Sequence, residues 1–180
     1  MVPVHMRVSF VFLGVVVLSA ALGCGCADHS VPVVRTYQMG DKVSIGSLLY
    51  TVLETQWLTQ VGVPPDEKVP QHRFFLVRVS IVSRSGHDDV MVPNLSVEDD
   101  SGKSYSELSS DIGAPQWIGL LRQLHPADSM AGNLVFDCPP GHYKLRVLDD
   151  AAENAALVDI PLTFTSETPD VPVAADPKKK

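Results

Sequence analysis

Cysteine is scarce in this chain and badly placed for redox or zinc chemistry. Of three cysteines, Cys24 and Cys26 stand near the start and Cys138 far along. No Cys-x-x-Cys spacing occurs, which removes zinc-ribbon and thioredoxin-like readings. Aromatic residues make up 7% of the chain, and only Trp57 and Trp117 are tryptophans. Positive charge is also short: 14 Lys and Arg stand against 21 Asp and Glu, and three of the positives are the terminal Lys178, Lys179 and Lys180. A body this acidic is repelled by phosphate backbones, so no nucleic-acid partner is expected. There is no internal repeat and no Gly-x-Ser-x-Gly elbow, so no hydrolase is indicated.

The apolar stretch over residues 8–22 is about fifteen residues long, short of the roughly twenty that a membrane-spanning helix needs. Arg7 precedes it and Ala21-Leu22-Gly23-Cys24 follows, which is the order of a charged flank, an apolar h-region and a small-residue processing site. The segment resembles a bacterial lipoprotein signal with Cys24 as the lipidated first residue. The rival reading is an uncleaved anchor helix over residues 8–27, and both readings put the remainder outside the cytoplasm. Each buried CH₂ of an acyl chain adds about 0.8 kcal/mol of membrane affinity. Gly25 lacks the aspartate that in many two-membrane bacteria retains lipoproteins at the inner membrane, which leaves outer-membrane sorting open. The expected organisation is a signal over 1–23, a flexible leader over 24–40, one domain over 41–165 and a proline-rich disordered tail over 166–180. Cys138 is expected to be a small buried apolar residue rather than half of a bridge to Cys26.

Most of the domain reads with a period of two. In residues 74–82, Phe75, Val77, Val79 and Ile81 share one face while Arg78 and Ser80 take the other, giving a strand with one core face. Residues 133–137 and 143–147 alternate likewise and are joined by Pro139-Pro140-Gly141, which predicts a hairpin. A second hairpin is predicted where residues 95–98 run through Asp99-Asp100-Ser101-Gly102 to Tyr105. Residues 43–47 and 49–55 are two shorter β-rich runs, and Val158, Ile160 and Leu162 form a last strand whose Pro161 points to a sheet edge. The single helix candidate is 115–124, with a turn or so over 149–156. About seven to eight short strands in one exported domain predict an all-β, two-sheet sandwich of immunoglobulin-like type.

The segments 74–81, 95–105 and 124–139 resemble the DUF4352 family of exported immunoglobulin-like (MPT63-like) domains, and the resemblance runs over about 41–149. It implies a β-sandwich behind a cleavable leader and supplies no catalytic residue. Family members usually carry an asparagine after the first of these strands and a glycine after the proline before the later one, where this chain has Ser83-Arg84-Ser85 and Ala127.

Among candidate sites, His87-Asp88-Asp89 reads as a polar loop, and Glu98-Asp99-Asp100 lacks the ligand spacing of a calcium loop. His125 with Met130, or Met91 with His142, would be soft copper ligands only if brought together in space. The stretch Ala114 to Leu121 carries Trp117, Ile118 and Leu120; with Trp57 these would form a partner-binding patch if exposed, or cap the sandwich if buried. The expectation is a lipid-anchored, extracytoplasmic, non-catalytic module without cofactor or metal, attached to a membrane by lipid and binding a protein or envelope component. The alternative is an envelope metal-binding or metal-delivery protein.

Overall fold

The computed structural model describes residues 34–62 and 64–162, so the signal over 1–23, the part of the leader before residue 34 with Cys24 and Cys26, and the tail over 166–180 lie outside the described residues. In chain order the strands are β1 (Arg35–Gln38), β2 (Val43–Ile45), β3 (Leu48–Leu58), β4 (Arg73–Ser83), β5 (Val90–Val92), β6 (Ser96–Asp99), β7 (Ser104–Ser106), β8 (Arg122–Leu124), β9 (Ser129–Cys138), β10 (Tyr143–Leu148) and β11 (Ala155–Ile160). One sheet runs β1-β11-β10-β6-β7 and the other β2-β3-β4-β9, with β5 and β8 as a separate pair. The all-β sandwich is therefore as expected, with several strands of three or four residues added to the expected set. One of them, β1, lies in the segment expected to be flexible leader.

Alternation explains the core. Phe75, Val77, Val79 and Ile81 of β4 meet Leu134 and Phe136 of β9 and Leu48, Tyr50 and Val52 of β3. Facing them are Val97, Tyr143, Leu145, Val147, Val158 and Ile160 from the other sheet. The Tyr50 hydroxyl crosses the layer to donate to the Leu148 carbonyl at 2.8 Å, and burial pushes that hydroxyl's pKa up. A bulge between Val52 and Glu54 turns Leu53 outward. The expected single core face of β4 holds for half of the strand only. Phe74 and Leu76 are also buried, with Val135, under a second cluster that includes Val61, Ala114, Leu58, Leu108, Ile112 and Trp117.

Three expectations are corrected by the tertiary arrangement. β9 and β10 are not a hairpin, because β9 pairs with β4 while β10 pairs with β6 and β11, so Pro139-Pro140-Gly141 carries the chain between sheets. β11 is not an edge: it lies between β10 and a parallel β1, and Pro161 follows the last paired residue, where a missing donor costs nothing. Residues 115–124 form no helix; Gln116 and Gly119 have positive φ and the segment ends in β8. The β6–β7 hairpin is as expected, with Gly102 at φ 84.

Arg122 is the largest fully buried side chain, on a short strand whose alternate residues Arg122 and Leu124 both point inward. Its Nη2 donates to Glu107 Oε2, its Nε donates to the Gly119 carbonyl, and Nη1 has no protein partner. Glu107 Oε1 in turn accepts the Leu95 amide at 2.7 Å. This buried pair joins the connection after β7 to the Gly119 turn ahead of β8. Burial pushes the Glu107 carboxyl up, against the pull of Arg122 and the Leu95 amide.

Candidate functional site

Two places combine exposure with chemistry, and a different local rule builds each. At one end of the sandwich, the turn after β6 and the connection from β9 to β10 enclose an open cleft of about 310 Å³. Asp99 shapes the turn: its Oδ1 accepts the Ser101 hydroxyl and the Ser101 and Lys103 amides, and these bonds, the hydroxyl foremost, hold its carboxyl below the usual range. Tyr105 and Tyr143 meet edge to face at 5.8 Å in the cleft wall, and the Lys103 ammonium lies 4.6 Å from the Tyr105 ring centre. The Tyr143 hydroxyl donates to the Pro139 carbonyl at 2.6 Å. At the rim His142 stands between two carboxylates, with Nδ1 2.7 Å from Asp100 and Nε2 3.0 Å from Asp159.

The chemistry of these groups is that of charge storage. His72, His125 and His142 all turn toward aspartates, His72 to Asp137 at 3.5 Å and His125 to Asp89 at 2.8 Å. None of these three contacts places a histidine on a hydroxyl or thiol, the pairing that activates a nucleophile. Cys138 is free and buried, and burial pushes its thiol up to about 11, so it is protonated at neutral pH. Among the described residues no group of three or more His, Cys, Asp and Glu is disposed to hold a metal ion. The copper pairs are drawn elsewhere: Met130 packs against the main core while His125 bonds Asp89, and Met91 lies on β5 while His142 holds its two aspartates. Asp89 of the His87 loop is also taken up, by Gln123 as well as His125.

The second place is the segment 114–121. Ala114 is buried, Trp117 is half-buried on the second cluster, and Ile118 packs against the main core. This strip lies over β9, bonded through Asn133, whose amide donates to Gln116 and whose side chain donates to the Pro115 carbonyl. Gly132 permits the approach: a Cβ there would collide with Ile118 Cγ2 and the Gln116 carbonyl. Trp57 is elsewhere, stacked on Phe75 at 4.3 Å, so the two tryptophans do not form the single patch considered from sequence. Leu120 is half-buried, and beside it Leu121 is 92% exposed. Leu121 was not singled out by sequence reasoning; the signal for it is that strand alternation from buried Arg122 and Leu124 points it outward. Cys24 lies outside the described residues.

The fold is that of an all-β sandwich domain built from two main sheets. The sequence matches the family described as Domain of unknown function (DUF4352) over residues 37–155, and the chain belongs to that family. The solved yjhA protein from Bacillus subtilis is similar in fold, with 17% identity and a TM-score of 0.55 over 69% of this chain and 99% of its own. So is the secreted protein MPT63 from Mycobacterium tuberculosis, with 13% identity and a TM-score of 0.53 over 70% of this chain and 95% of its own. No curated protein matches the sequence.

Proposed function

We propose that the protein is a non-catalytic binding module, held outside the cytoplasm by lipid on Cys24, that engages a protein or other envelope component through the 117–121 turn. The observation that carries the reading is Leu121, a large apolar side chain 92% exposed on a turn braced from below. Its neighbour Arg122 is wholly buried and bonds both Glu107 and the Gly119 carbonyl, so the chain cannot rotate Leu121 inward without unburying a charge. An apolar group kept in water by such a brace is the kind of anchor that partners cover, with half-buried Leu120, Ile118 and Trp117 beside it. The export half of the reading rests on the signal-like residues 7–24 and gains support from the similarity to a secreted protein.

Two measurements test it. A photo-crosslinking residue at position 121 in intact cells is expected to trap a discrete adduct that the same residue at exposed Val69 does not; equal adducts at both positions, or none at 121, would overturn the docking role. Cys24→Ala is expected to move the protein from the membrane to the soluble fraction, and tight membrane retention of the variant would overturn lipid anchoring.

A further inference from the structure

We infer that His142 is a proton-operated latch, which in its doubly protonated form ties the β6–β7 turn to β11 across the cleft rim and on losing a proton releases one side. The inference concerns the folded domain alone and holds whatever the 117–121 turn binds.

Both ring nitrogens of His142 lie within hydrogen-bond distance of a carboxylate oxygen, Nδ1 at 2.7 Å from Asp100 Oδ1 and Nε2 at 3.0 Å from Asp159 Oδ1. A neutral imidazole has one N–H and one lone pair, so it satisfies one aspartate and sets a lone pair against the other. Only the imidazolium turns an N–H and a positive charge toward both, as a hydrogen bond to Asp100 and an ion contact with Asp159. The other charged groups nearby are few. Asp99 lines the same cleft, Lys103 is turned to the Tyr105 ring, and Lys144, next along β10, is in register between Glu98 on β6 and Asp159 on β11. The hydrogen bond to Asp100, opposed by a partial loss of water and aided by Asp159, holds His142 above its ordinary value of 6.5.

The two sides of the latch differ in freedom. Asp159 is part of β11, paired to β10 and β1, and its side chain is 24% exposed. Asp100 sits in the hairpin turn with its side chain 70% exposed. Deprotonation removes the ring charge that both carboxylates face, so the exposed turn with Asp100 and Ser101, the freer wall of the cleft, is held less tightly. The cleft is narrower in acid and wider in base.

The test is a titration of the ¹⁵N-labelled full chain in detergent micelles, following His142 ring nitrogens and the backbone amides of Asp100 and Ser101. Expected are two protonated-type ring nitrogens at low pH, a midpoint above the ordinary 6.5 of a histidine, and the two amides moving with the same midpoint. Asp100→Asn and Asp159→Asn are each expected to lower that midpoint, and His142→Gln to abolish the amide titration with the fold retained. A His142 midpoint at or below 6.5, or turn amides that stay still while His142 titrates, would overturn the latch.

Discussion

Replacing Glu107 by alanine is the sharpest test of how the Gly119 turn is held. Arg122 has no exposed surface, and its Nη1 already lacks a partner. Without Glu107 its Nη2 is orphaned as well, leaving only the Nε bond to the Gly119 carbonyl, and the Leu95 amide loses its acceptor. Breaking one side of a buried ion pair costs about 3–5 kcal/mol, and an unsatisfied buried amide about 1–3 kcal/mol. Because one carboxylate makes both contacts the two figures overlap, so a loss of about 4 kcal/mol is expected from the two effects together. Against a total stability of roughly 5–15 kcal/mol, that is a large share. In urea, where a small domain has a slope near 2 kcal/mol per molar, the unfolding midpoint should fall by about 2 M. The paired change Glu107→Leu with Arg122→Met removes both charges and should cost far less than the two single changes added together. A Glu107→Ala variant within about 1 kcal/mol of the parent, or a double variant as damaged as that sum, would refute the idea of a desolvated brace.

Ala127 holds φ 59 in the tight turn where its neighbour Asp128 donates its amide to the His125 carbonyl, so Ala127→Gly should stabilise the domain by roughly 0.5–1 kcal/mol, read as a raised urea midpoint. Gly132→Ala should instead lower stability and dislodge the 115–119 strip from β9, read as enhanced proteolysis within that strip. Stability should also depend on pH in two windows. His125 and His142 have raised pKa values through Asp89 and Asp100, so their contribution is full below about 6.5 and is lost as pH rises through the folded values. Asp89 and Asp99 are lowered by bonds to His125 and Ser101, and Asp149 is lowered by its Asn154 and Glu153 bonds in spite of burial, so their contribution is lost only as pH falls below 3.8. The melting temperature should therefore be higher at pH 5.5 than at pH 8 and drop below pH 4; a flat profile from 5.5 to 8 would contradict the histidine contacts.

Legibility followed the range of the forces involved. The strands β4, β9 and β10 were visible because alternation is a property of neighbouring residues, and the β6–β7 hairpin because Asp and Gly supply its turn within a few positions. Pro139-Pro140-Gly141 also spelled a turn, but a turn does not say which sheet the next strand joins. That is decided by which strands need partners and which apolar faces need covering, and both lie far away in sequence. In the candidate sites, Trp57 and Trp117 were visible as large apolar groups, yet Trp57 went to Phe75 and Trp117 to a separate cluster over β9. Leu121 and Arg122 were opaque for a simple reason: a charged residue in a short strand reads as the outward one, and here the inward place belongs to the charge because Glu107 waits there.

By itself the amino-acid order determined the β character of the chain, its acidic body, its signal-like start and the inward faces of the long strands, since these follow from local periodicity and composition. Only the tertiary structure decided that β9 and β10 part into different layers, that β1 seals β11, that an ion pair lies under an exposed leucine, and that His142 falls between Asp100 of the β6–β7 turn and Asp159 of β11, far apart in sequence. Those outcomes depend on contacts between distant segments, whose energies exist only once the two sheets have closed over a common interior.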